Sequence, residues 1–131
     1  MIRSDQLLLI RLFPRRLAIL NVTSGCFFAP GDSFSETKNP DEAVLFREKR
    51  NALGEIKSRD FNPDNLDDLS TTAQIHKRDG GYRVYYPAVQ KWLGKDQLTS
   101  LDQSELFDSK TNAHCHAAIT WGFERIGDMT N

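Results

Sequence analysis

An Asp-Gly-Gly turn between two β-prone runs constrains this chain more than any other stretch. Asp79-Gly80-Gly81 separates Ala73-Gln74-Ile75-His76-Lys77-Arg78 from Tyr82-Arg83-Val84-Tyr85-Tyr86. Asp-Gly accepts the left-handed backbone angles of a tight hairpin, and the alternation of Ala73, Ile75 and Lys77 with Gln74, His76 and Arg78 is the period of a strand. Residues 72–86 are therefore predicted to form a β-hairpin, ended by Pro87, which cannot donate to a sheet ladder.

The most apolar part of the chain lies near its start. Leu7 to Phe13 and Leu17 to Val22 are rich in Leu, Ile and Val and are separated by Pro14-Arg15-Arg16. Proline marks a turn rather than a strand interior, so these are predicted to be two strands, covered on both faces because neither alternates cleanly. Gly25 to Asn39 reads as a long loop whose Phe27, Phe28 and Phe34 pin it to the core.

Helix signals follow. Asn39-Pro40-Asp41-Glu42 combines a capping residue with proline at the first helical position. Val44, Leu45, Ala52, Leu53 and Ile56 then share one face of a main helix, with Gly54 as the expected stop. Asn62-Pro63-Asp64 repeats the cue and opens a short acidic turn through Asp67, Asp68 and Leu69. Ala88 to Leu93 reads as a helical turn, and a short helix is expected from Ser100 to Phe107. Ala113 to Phe123 reads as a strand, with Cys115, Ala117, Ile119, Trp121 and Phe123 alternating against His114, His116, Ala118, Thr120 and Gly122. On that reading Trp121 packs inward beside Ile119 and Phe123.

This element order predicts an α+β fold. The expectation is a single compact domain over residues 1–131, mainly antiparallel sheet with one main helix and short helices, and no internal repeat or linker. The length suits one domain, and 39% hydrophobic residues are enough for a core without staples. Cys26 and Cys115 are expected to be small buried hydrophobes rather than a disulfide. No apolar run approaches the ~18 residues of a spanning helix, and Leu7 to Ile10, flanked by Asp5 and Arg11, is too short for a signal sequence. A cytoplasmic protein with no membrane partner is expected.

Charge narrows function. Lys and Arg number 17 against 18 Asp and Glu, a net of −1, which disfavours binding nucleic acid through phosphates. Three groups of residues could carry chemistry. His114-Cys115-His116 on a strand would point two imidazoles the same way, and His76 on the hairpin could supply a third zinc ligand. Without metal, the same histidines could work as an acid–base pair in phosphodiester cleavage, with Lys77, Arg78 or Arg83 stabilising the phosphorane. The second group, Tyr82, Arg83 and Tyr85 with Trp92 following, has the residue types enriched at protein–protein hot spots, and also those that stack bases. The third, Asp60, Asp64, Asp67 and Asp68, lacks the spacing of a calcium loop and reads as solvated helix starts.

No phosphate-cradling glycine loop, dinucleotide fingerprint, serine elbow or paired Cys-x-x-Cys knuckle is present. The reading that follows is a small non-enzymatic binding protein with no cofactor. It would act as a regulator or inhibitor of another protein through Tyr82, Arg83, Tyr85 and Trp92. A small hydrolase or nuclease using His76, His114 and His116 is the alternative, and a nucleic-acid-binding module the second alternative.

Overall fold

The computed structural model describes residues 1–130. The chain adopts the expected α+β class, with two mixed five-stranded sheets, two helices and several single 3-10 turns. Its residues divide into two compact units, one of Met1–Leu12 with Arg16–Leu69, the other of Phe13–Arg15 with the described chain from Ser70 onward.

The first unit's sheet runs β4-β3-β2-β1-β5, from β1 (Leu7–Phe13), β2 (Arg16–Asn21), β3 (Cys26–Phe28), β4 (Glu36–Thr37) and β5 (Leu66–Asp68). The proline-separated apolar runs are the two strands expected, and seven of their apolar residues, Leu7, Leu9, Ile10, Leu12, Leu17, Ala18 and Ile19, are buried, with Arg11 and Asn21 buried beside them. The stretch read as a loop contains a second hairpin instead, with Phe27 opposite Thr37 and Phe28 opposite Glu36. Phe28 is buried in the core, whereas Phe34 is exposed at the loop tip.

The main helix is displaced from its expected start. Asn39 caps only a 3-10 turn, Pro40–Glu42, accepting from the Asp41 amide. Beyond it the backbone returns to extended geometry, because the Val44 amide donates to Phe28 and Phe46 exchanges two 2.7 Å bonds with Leu17. Sheet pairing and burial of Phe46 therefore override the helix signal. Helix α1 runs Lys49–Ser58 and buries Ala52 and Ile56, with Gly54 inside it rather than at its end. Asn62 likewise caps a 3-10 turn, and the acidic stretch beyond it is strand β5, parallel to β1.

The second unit's sheet runs β10-β6-β7-β8-β9, from β6 (Thr72–Arg78), β7 (Gly81–Tyr86), β8 (Lys91–Leu93), β9 (Leu98–Thr99) and β10 (Arg125–Asp128). The predicted hairpin is β6–β7, with Arg78 opposite Gly81 and Asp79 and Gly80 at φ 56° and 81°. Gly81 also permits a close approach, since a Cβ there would lie 2.6 Å from the Phe107 carbonyl. Residues 88–93 form a turn and strand β8, not a helical turn. The helix expected from Ser100 shrinks to the 3-10 turn Leu101–Gln103.

The segment 113–123 is helical, not a strand. Helix α2 (Lys110–Cys115) continues as a π-helical stretch, His116–Trp121, and ends where Gly122 takes φ 85°. Ser109 caps it, accepting from the Asn112 amide at 3.1 Å. Ala113, Ala117 and Trp121 are fully buried, while Ile119 is 67% exposed. Residues four apart satisfy a strand's period of two as well as a helical face, which is how the alternation misled.

The two units repeat one design, contrary to the expectation of no internal repeat. Read from the other end, the second sheet has the order of the first, each with a parallel fifth strand following the helix. Tyr82 exchanges two backbone bonds with Phe107 as Leu17 does with Phe46, and Glu105 donates to Leu93 as Val44 does to Phe28. Leu45-Phe46-x-x-Lys49-x-Asn51-Ala52 recurs as Leu106-Phe107-x-x-Lys110-x-Asn112-Ala113. Lys49 pairs with Asp68 at 3.6 Å, and Lys110 with Asp128 at 3.1 Å. The repeat escapes a reading by period because the corresponding strands differ in sequence; core positions accept any apolar residue of suitable volume.

Candidate functional site

The two faces of the second sheet differ in chemistry. Ala73, Ile75, Val84, Tyr86, Leu93 and Ile126 pack into the core with Ala113, Ala117 and Trp121 of the helix. Strand alternation then places Gln74, His76, Arg83, Tyr85 and Trp92 on the outer face. Register aligns Tyr85 with both Gln74 and Trp92, and His76 with Arg83.

Three of these side chains form one aromatic cluster. The Tyr85 and Trp92 ring centroids are 4.8 Å apart, and the His76 ring lies 5.9 Å from Tyr85 and 5.5 Å from Trp92. All three are half-buried. Arg78, exposed at the end of β6, carries its guanidinium 5.6 Å from the Trp92 ring centre. His76 Nε2 is 3.0 Å from the Gln74 amide oxygen. Burial, reinforced by the Arg78 charge, lowers the His76 pKa below its ordinary 6.5.

Two residues expected in the contact surface do other work. Arg83 is only 8% exposed. It donates to Asp79 at 3.1 Å, to the Leu101 and Ser104 carbonyls at 2.9 and 2.6 Å, and to Ser104 Oγ at 2.9 Å. It therefore clamps the 101–104 turn onto the hairpin. Tyr82 packs against the core. Of the expected contact residues, the fold brings together Tyr85 and Trp92 and adds His76 and Arg78, a grouping that only strand register reveals.

The three histidines are not brought together. His76 belongs to the aromatic cluster. His116 packs its ring 5.0 Å from Phe107 and accepts the Trp121 indole N–H at 3.1 Å, a structural role. His114 lines a separate groove of about 340 Å³ with Lys110, Cys115, Ile126 and Asp128. Among the described residues no group of three His, Cys, Asp or Glu side chains is disposed to hold a metal ion. The acidic run is also dispersed: Asp67 accepts from Gln6 at 3.1 Å, and Asp68 faces Lys49.

Comparing the two units isolates what is peculiar to this face. The pair Leu20–Phe27 occupies the register position of Tyr85–Trp92, and Thr37 that of Thr99. Ala18 stands where Arg83 does, one residue beyond the matched bridge position. The shared Leu-Phe-x-x-Lys-x-Asn-Ala stretch maintains the fold in both units, whereas the aromatic and basic set belongs to the second alone. Among the described residues no helix is long and apolar enough to cross a membrane. Comparison with known protein families, curated proteins and solved structures finds no match for this chain.

Proposed function

We propose that the chain is a non-enzymatic binding protein, a regulator or inhibitor whose partner is another protein and whose contact surface is the outer face of the second sheet. The observation that carries this reading is the half-buried cluster of Tyr85, Trp92 and His76 beside Arg78. Tryptophan, tyrosine and arginine are enriched among the residues that dominate binding energy at protein interfaces; the two aromatics bury large area for little lost side-chain freedom. The fold does not require these residues at these positions, since Leu20 and Phe27 serve in the first unit. Cys26 and Cys115 are both free thiols, which supports a reducing compartment such as the cytoplasm.

The test is capture of a stoichiometric partner from the native host by the whole chain, repeated with Tyr85→Ala and Trp92→Ala. Each truncation should weaken affinity by about 2 kcal/mol or more, with the thermal melt still cooperative. A partner held equally well by both variants would place the contact surface elsewhere.

A further inference from the structure

The charges around the aromatic cluster carry the reading of this site one step further, to the chemistry of what binds there. Arg78 is exposed beside Trp92. Arg125 is also exposed and lies on the same face by register, opposite Thr72, since its neighbour Ile126 packs into the core. Asp79, the carboxylate at the hairpin turn, is already paired with Arg83 at 3.1 Å. The row across the sheet is uncharged, running Gly127, Gln74, Tyr85, Trp92, Thr99 by register. The face thus offers one aromatic anchor flanked by cations.

We infer that this face docks an acidic segment of the partner protein, with an apolar or aromatic side chain seated on Tyr85 and Trp92 and carboxylates beside Arg78 and Arg125. The inference rests on the binding role proposed for this face. Two features favour a polypeptide over single-stranded nucleic acid. Successive bases need separate open ring faces, whereas these rings meet one another at interplanar angles of 50°, 65° and 83° and make one compact anchor. Nucleic-acid affinity also draws on many phosphate contacts along a basic stripe. This face has two flanking arginines, in a chain of net charge −1.

A random short-peptide library displayed on phage and panned against the whole chain tests this, with oligothymidylate measured in parallel by fluorescence anisotropy. The expected result is enrichment of acid-rich peptides containing a large apolar residue. Their affinity should fall with salt, drop on the order of tenfold in Arg78→Glu, and be lost in Trp92→Ala, both variants retaining the wild-type circular dichroism. Should Trp92→Ala unfold the chain, Arg78→Glu and Arg125→Glu at the surface carry the test alone. Peptides that depend on Trp92 but show no acidic bias and ignore Arg78→Glu would overturn this inference and leave the binding face standing. No enriched peptide sensitive to Trp92, Arg78 or Arg125 would overturn both. Oligothymidylate binding lost in the same variants, and tighter than any peptide, would assign the face to nucleic acid instead.

Discussion

Arg83 shows how one side chain can look like a contact residue and serve the fold. Its buried guanidinium meets acceptors from Asp79, Leu101 and Ser104. Arg83→Met would strip the Ser104 carbonyl of the 2.6 Å bond it accepts and release the 101–104 turn from the hairpin, so a loss of about 2–3 kcal/mol in urea unfolding is expected. Unchanged stability would restore it to the binding surface. Trp121 and Ile119 make a second contrast. Trp121→Ala removes a fully buried ring stacked with Phe123 and should cost about 3–5 kcal/mol. Ile119→Ser, at an exposed site, should change stability by less than about 0.5 kcal/mol. A loss at Ile119 comparable to that at Trp121 in thermal melts would mean a strand, with both side chains inward, rather than a helix there. His76 adds a pH dependence. Its folded pKa lies below the unfolded 6.5, so between the two values the unfolded chain binds more protons. The associated stability is present above pH 6.5 and is lost as pH falls through the folded value. Urea melts across this range should slope less in His76→Gln than in the wild type.

At the scale of elements, competition between local and tertiary demands decides the outcome. Asn39-Pro40 is a sound helix start, yet it yields a single turn because Phe46 is drawn into backbone pairing with Leu17. Ser109, followed by a sequence with alanines at 113 and 117, starts a true helix that strand-like alternation concealed. The last strand and α2 are tied by Asp128. The Thr130 hydroxyl and amide, with Lys110, hold its carboxyl down to about 2 from 3.8. Its contribution is present above pH 3.8 and disappears as the carboxylate protonates near pH 2. Side-chain NMR titration should show that low midpoint, and Thr130→Val should raise it towards 3.8; an ordinary midpoint in the wild type would mean the Thr130 contacts do not form in solution.

For the whole molecule, the correspondence between the two units separates what the fold needs from what one unit adds. Both units keep a buried aliphatic or aromatic core, a bridging phenylalanine and a Lys–Asp pair from helix to final strand. The second alone has the His76, Tyr85 and Trp92 cluster. The scattered histidines bear on the hydrolase alternative: His76, His114 and His116 lie in three different surroundings. Purified chain should carry far less than one zinc by elemental analysis, and a chelator should leave its melting temperature unmoved, because metal binding would otherwise be folding energy. Stoichiometric zinc would reopen a metal-dependent activity.

The sequence by itself determined the features that short-range chemistry controls. Asp79-Gly80 imposed a hairpin through its left-handed turn, Pro14 divided two apolar strands, and Asn39, Asn62 and Ser109 each capped the turn that follows. These depend on residues within a few positions of one another. Tertiary structure alone decided how long each turn lasted and which side chains met. Phe46 ended a helix signal by pairing with Leu17, and Arg83 was drawn off the surface by carbonyls about twenty residues away. Strand register gathered His76, Tyr85 and Trp92 into one cluster. Such choices turn on burial and hydrogen bonding between distant segments, whose energy exceeds the weak local preferences that sequence displays.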